Sequence, residues 1–279
     1  MRVMAWNLWW RFGPWAERLP AIIAVVREQQ PDVMLLQEVW SVGDDSAAHR
    51  LAGELGYHVA ITDDPFADRR GADGAGFHNA IVSRWPLSDV VSHALPRADG
   101  QAGHRRALAA TVHTPHGLWP VVCTHLDHRF DESAVREAQC TALLGIVSAR
   151  RGNPDTDLPV VLGGDFNATP DSDEIRLLTG RRAAPIPNLV LSDCWEHVGD
   201  GPGATWRADN PYQTSTAWPN RRLDYVFVSW PRPKPVGNPT RAWLAGTQPV
   251  TVGGAAPIVP SDHAAVVVEL VTEPPQASH

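Results

Sequence analysis

Val160-Val-Leu-Gly-Gly-Asp165-Phe-Asn167 is an apolar run that meets two glycines and then delivers a carboxylate and an amide two residues apart. A continuous apolar run is expected of a strand buried on both faces. Alternation along extended backbone sends Asp165 and Asn167 to the same side. The glycines permit a tight turn or the close approach of a ligand. A carboxylate beside an amide orients a water and an anionic oxygen together; the plainer reading is an Asp/Asn turn that caps a helix near residues 172–178.

Working outward, the same design recurs. Asn7 closes an apolar run at 2–8, and Glu38 stands at the end of a second at 33–39. His125 follows Val-Val-Cys-Thr, Asp224 opens Leu-Asp-Tyr-Val-Phe-Val, and Asp262-His263 precedes the last apolar run at 264–271. Termini this rich in carboxylate, amide and imidazole fit one site assembled at one rim of packed sheets.

Between them, Leu19, Ile22, Ile23 and Val26 have the spacing of a helix with one apolar face, stopped by Pro31. Ala48, Leu51, Ala52 and Leu55 mark a second helix, ended by Gly56 in the left-handed cap conformation. Val135, Ala138, Ala142, Leu143 and Ile146 mark a third over 133–149. Further strands are expected at 57–61, 80–83, 107–113, 120–124 and 223–229, with a loop at 62–76 and an extended surface loop over the proline-dense 231–239. Many short strands with few helices point to packed sheets covered by helices rather than a regular βαβ repeat. One domain is expected over 1–271, with a frayed tail at 272–279.

The 279 residues are 43% hydrophobic and 20% charged, ordinary proportions with no break that marks a second unit. A net charge of −7 works against nonspecific adhesion to nucleic acid or anionic membrane. The local basic candidates are Arg105-Arg106, Arg181-Arg182 and Arg221-Arg222. Three cysteines without short spacing read as reduced structural thiols. The opening Met-Arg-Val-Met-Ala-Trp-Asn has no secretory pattern and no later stretch suits a bilayer, so a cytoplasmic monomer is expected.

Taken in order, the motifs are WN at Trp6-Asn7, LLQEV at 35–39, NAIVSRWP at 79–86, THLDH at 124–128, GGDFN at 163–167, RLDYVFVS at 222–229 and SDH at 261–263. Each is weak alone, and together they resemble the endonuclease/exonuclease/phosphatase superfamily from residue 2 to about residue 271. The resemblance implies an α/β four-layered sandwich, two packed, mostly antiparallel β-sheets flanked by helices.

The resemblance also implies roles. Glu38 is the main metal carboxylate, with Asn7 and Asp262 nearby, a hard oxygen set suited to Mg²⁺ or Mn²⁺. Asp165 orients or deprotonates the attacking water, and Asn167 holds a phosphate oxygen. His263 contacts the phosphate with Asp224 fixing its tautomer, and His125 hydrogen-bonds the phosphate or assists the leaving group. Arg105 or Arg106 faces the substrate, the two pointing opposite ways, and Asn79 supports the rim.

His125-Leu-Asp127-His128 also resembles part of a dinuclear-zinc signature, but Cys123 stands where that signature needs another histidine, and it leaves GDFN and SDH unexplained. Thr-His-Leu replaces the Tyr before Pro-Asn usual in abasic-site endonucleases. Among the 12 tryptophans, Trp9, Trp10, Trp206 and Trp218 flank candidate positions, and Trp9 or Trp10 is expected at the cleft. The expected activity is hydrolysis of a small-molecule or lipid-like phosphate ester by activated water. The alternative is a metal-dependent nuclease acting on DNA or RNA; a silent binding module is disfavoured because every member of the set is present.

Overall fold

A computed structural model describes residues 1–64, 74–97, 99–213 and 218–273. Thirteen strands and five helices are defined among them. The first sheet runs β12 (Pro239–Ala245), β13 (Ala265–Leu270), β1 (Arg2–Asn7), β2 (Val33–Val42), β5 (Gly76–Ser83) and β4 (His58–Ile61), with β3 (Asp45–Ser46) paired to β2. The second runs β10 (Val190–Asp193), β11 (Asp224–Trp230), β9 (Val161–Asp165), β8 (Gly117–His125), β7 (Ala102–Thr114) and β6 (Leu87–Pro96). Each sheet has one parallel pair at its centre, β1 with β2 and β8 with β9, and the other pairs are antiparallel.

Parallel neighbours need a crossover, and α1 (Trp15–Gln29) and α3 (Ser133–Arg150) supply the two. Strand alternation then makes the layers. Val3, Ala5, Val33 and Leu35 of the first sheet meet Leu108, Val121, Val161 and Val226 of the second in a central core. Met4, Trp6, Met34 and Leu36 face the other way, onto Leu19 and Ile22 of α1 and Leu51 of α2 (Ala47–Leu55). On the far side Leu162, Tyr225 and Phe227 pack against Leu143 and Leu144 of α3 and Ile175 of α4 (Asp173–Leu178). This is the four-layered sandwich with two mostly antiparallel sheets. Full burial of such side chains contributes about 1.5–3 kcal/mol each.

Gly163 and Gly164 serve the packing of strands rather than a turn or a ligand. A Cβ on Gly163 would lie 2.8 Å from Leu35 Cδ1, and one on Gly164 would lie 1.9 Å from the Thr124 carbonyl oxygen. Gly56 has φ 70° and caps α2 as its position suggests. β2 does not stop at Val39: a bulge at Gln37–Glu38 interrupts the pairing with β5, and the strand resumes to Val42. The 231–239 segment is not all surface, because Arg232 and Val236 are buried and Pro239 already begins β12. Of the loop at 62–76, residues 65–73 lie outside the described residues, as do 274–279 of the tail. A fifth helix, α5 (Cys194–Val198), follows β10 directly, with Asp193 accepting a hydrogen bond from the Trp195 amide at 3.0 Å.

Candidate active site

Three neighbouring strands of the second sheet end in register. His125 of β8 is opposite Asp165 of β9, and Asp165 is opposite Asp224 of β11. The first sheet brings Asn7 from the end of β1 and Glu38 from the bulge, whose φ of 52° turns the side chain out of the ladder. Asp262 and His263 sit just before β13. The result is a cavity of about 1170 Å³ lined by Asn7, Glu38, His125, Asp165, Asn167, Asp262 and His263, with Phe12, Phe77, Arg105, His128 and Trp206 among its other walls.

Asn7 joins the two sheets. Its Nδ2 donates to Glu38 Oε1 at 3.1 Å and to Asp165 Oδ2 at 3.0 Å, while its Oδ1 accepts from the Trp9 amide at 2.9 Å. Asp165 Oδ1 accepts from the Asn167 amide at 2.9 Å, and Asn167 Nδ2 donates to the Leu126 carbonyl at 3.2 Å. This is an Asx turn, but it does not cap α4, whose N-cap is Ser172. Asn167 lies past the strand with φ 50°. It shares the cavity with Asp165 because the chain turns over the buried Phe166, not because alternation continues.

His263 Nδ1 lies 2.7 Å from Asp224 Oδ2, and its Nε2 lies 3.9 Å from Asp165 Oδ2. His125 Nε2 is 3.5 Å from the same Asp165 oxygen. Burial alone would lower the His263 imidazole; Asp224, Asp262 and Asp165 overcome this and hold it well above the usual histidine range. His125 goes the opposite way: burial, then Arg105 and His263, push it well below. Burial raises Asp165 to about 6, helped by Asp224, and raises Glu38 to about 7, helped by Asp262. Asp262 is raised by burial as well.

Asp165, Asp224 and His263 bring their ligand atoms within 4.8 Å of one another. Within this trio, His263 Nδ1 and Asp224 Oδ2 already share a hydrogen bond. The better place for a hard cation is beside Glu38, whose Oε2 is buried without a partner next to Asp262. The Glu38 and Asp262 carboxylates there fit a divalent metal, whereas Asn7 turns its amide nitrogen, not its oxygen, toward Glu38.

The other predicted residues separate. Arg105 faces the cavity and donates to His128 Nδ1 at 3.0 Å. Arg106 turns away to Asp63 at 3.0 Å. Asn79 is buried and donates to the Arg106 carbonyl at 2.8 Å, so it supports the wall from behind. Trp9 does not line the cavity: its ring packs on Tyr212 at 4.4 Å and under Arg18 at 4.8 Å. Trp10 donates to the Gly76 carbonyl at 2.7 Å, and Trp206 is the tryptophan in the cavity wall.

Sequence reasoning missed the supports. Ser261 Oγ donates to the Asn7 carbonyl at 2.7 Å, tying β1 to the segment that carries His263. Thr205 Oγ1 accepts from the Leu223 and Asp224 amides at 3.1 and 3.2 Å. Arg18 donates to the carbonyls of Leu8, Trp9, Trp10, Phe12 and Pro260, at 2.8 to 3.1 Å. The available signal for Arg18 was its place on the apolar face of α1, one turn before Ile22.

The Endonuclease/Exonuclease/phosphatase family description matches residues 4–263. Protein angel homolog 2 of Danio rerio is 28% identical over 179 residues, 60% of this chain and 30% of that protein, so the chain spans under a third of that curated relative. The endonuclease/exonuclease/phosphatase of Beutenbergia cavernae is 25% identical with a TM-score of 0.69, covering 96% of this chain and 70% of that one. The mannosyl-6-phosphatase of Bacteroides thetaiotaomicron shares the fold, with 21% identity, a TM-score of 0.72 and coverage of 97% and 99%.

Proposed function

The chain belongs to the Endonuclease/Exonuclease/phosphatase family of metal-dependent phosphoesterases, and from that premise we propose that it hydrolyses a small-molecule or lipid-like phosphate ester with Mg²⁺ or Mn²⁺. The observation that carries the substrate reading is the fate of the paired arginines. Of these six only Arg105 lines the cavity; Arg97 and Arg129 line it as well, but are paired with Asp99 and Glu132. Arg106, Arg181, Arg182 and Arg222 are engaged by Asp63, Glu196, Glu137 and Asp193, and Arg221 lies over the Phe130 ring at 5.0 Å. Gripping a duplex calls for several basic contacts with phosphates, whereas one arginine suffices for a compact ester.

Glu38 and Asp262 would hold the metal, with Asn7 fixing Glu38 and Asp165 through its Nδ2. Bound there, a divalent cation supplies positive charge against the negative charge that grows on the phosphate oxygens. Asp165, raised to about 6, takes the proton from the attacking water. His263, kept charged by Asp224, donates from Nε2 to a phosphate oxygen, and Asn167 offers its remaining amide hydrogen. His125 is neutral and hydrogen-bonds the phosphate or the leaving group. Arg105 adds fixed charge on the facing wall.

A second reading, cleavage of single-stranded nucleic acid, is favoured by one feature. Phe130 and Trp218 are both exposed and stack at 4.4 Å, a surface on which a base can lie. The test is kcat/KM at low salt with Mg²⁺ for phosphomonoesters, nucleotides, phospholipids, oligonucleotides and plasmid DNA. Small esters are expected to lead. Efficient nucleic-acid cleavage that falls steeply with salt, with nothing comparable on small esters, overturns the first reading.

A further inference from the structure

β11 leaves the catalytic rim at Asp224 and ends at Trp230, about 20 Å away at ~3.3 Å per residue. At that far end a cavity of about 760 Å³ opens between β10, β11, α5 and the 231–239 segment, and it shares no lining residue with the catalytic one. Arg232 is in its wall and only 7% exposed. Its Nη1 donates to Ser192 Oγ at 3.1 Å and to the Ser229 carbonyl at 3.2 Å, and its Nη2 donates to Asn238 Oδ1 at 3.0 Å. Every one of these acceptors is neutral, and Nε is buried with no acceptor.

Among the described residues no carboxylate lies at ion-pair distance from Arg232. The two in the cavity wall are already neutralised: Asp193 takes two hydrogen bonds from Arg222 at 2.9 and 2.7 Å, and Glu196 is paired with Arg181. A guanidinium stays protonated in neutral water, and a buried charge without a counter-charge is unfavourable. The surroundings also sort by polarity. Ser192 and Asn238 spend acceptors on Arg232, which leaves the hydroxyl hydrogen of one and the amide hydrogens of the other to donate. Trp230 of the same wall has Arg232 at 5.3 Å and the exposed Lys234 at 5.0 Å from its ring centroid, which brings a second positive charge to that residue.

From this set of donors and unopposed charge we infer that the far cavity is a second anion site, taking a small oxyanion of the phosphate or sulfate class against Arg232, Ser192 and Asn238. It stands apart from the catalytic reading and does not depend on it.

Isothermal titration of inorganic phosphate into the His263→Ala chain, without divalent metal, tests it with the catalytic centre disabled. One phosphate per chain is expected, together with a phosphate-dependent rise in Tm. Ser192→Ala removes a donor to a charged ligand and should weaken binding about tenfold or more. Lys234→Glu, at an exposed position, should weaken it comparably, and both variants keep folded far-UV spectra. Absence of saturable binding overturns the site. So does binding that ignores both substitutions, or binding that is lost only in Arg105→Ala, which would place the phosphate in the catalytic cavity.

Discussion

Two groups of carboxylates sit in the same sandwich and are treated in opposite ways. Asp193 and Glu174 are almost wholly buried, and each meets an arginine: Arg222 at 2.7 Å and Arg136 at 2.8 Å. Glu38, Asp165, Asp224 and Asp262 are gathered at the rim with one imidazolium for the group and, among the described residues, no arginine at ion-pair distance. Asp165 and Asp224 are as buried as the framework pair, so burial alone is not what distinguishes the groups. Where the fold supplies the counter-charge, the carboxylate is part of the framework; where it does not, the arrangement is left open to an added cation and a proton.

The sharpest separation between the groups is in activity. Asp224→Asn and His263→Ala should each lower kcat about 10²–10⁴-fold, the range for a positioned acid or base. Because the two act through one hydrogen bond, the double variant should be little worse than either single. Multiplicative losses in steady-state kinetics would show that they do not work as a unit. Chelation should abolish turnover and Mg²⁺ or Mn²⁺ should restore it; full activity in metal-free buffer breaks the assignment of Glu38.

Stability should sort the groups in reverse. Asp193→Asn strips the counter-charge from buried Arg222 and should cost about 3–5 kcal/mol in urea unfolding. A loss below about 1 kcal/mol would mean that the pair is not the strut it looks like. Smaller again, Arg105→Ala should raise KM about tenfold, as expected for a lost charge-assisted hydrogen bond. Arg106→Ala, on the outside of the same strand, should leave KM within about twofold; equal effects from the two would erase the distinction between the faces of β7.

The smallest effect concerns pH. Glu38 is raised from its ordinary 4.5 to about 7 in the folded chain, so its ionisation opposes folding fully above about pH 7 and not at all below its unfolded value. In chelator, Glu38→Gln should therefore raise Tm by a few degrees near pH 8, where ~1 kcal/mol corresponds to about 2–4 °C. The gain should fade as pH falls toward 4. A gain that persists in acid would mean the substitution works by packing instead.

Much of this was legible in the sequence because the strands that carry the rim are central. Residues 160–165 and 224–229 are buried on both faces, so their apolar runs are unbroken and the polar residue at the end stands out. Of the edge strands, β4 was expected at 57–61, and the other three were not legible. β6, β10 and β12 mix exposed and buried positions or open on proline, and the neighbours that make them strands are remote in sequence. Glu38 was found as a residue but not as a bulge, since a bulge is a property of pairing with β5. Trp9 was misplaced because a left-handed φ of 57° turns its ring toward Tyr212, which a pattern of residue types does not encode.

The pairing of Arg2 with Glu269 and of Ala5 with Val266 joins strands separated by most of the chain. Contacts so distant in sequence form late, because loop closure must precede them. β13 is also what carries Asp262 and His263 to the rim. While the chain is being synthesised, the earlier strands can collapse and pair, yet neither His263 nor Asp262 has arrived. On the proposed function, onset of chemistry is timed to completion of the fold, and a chain cut short before residue 261 should be inert even where it is compact.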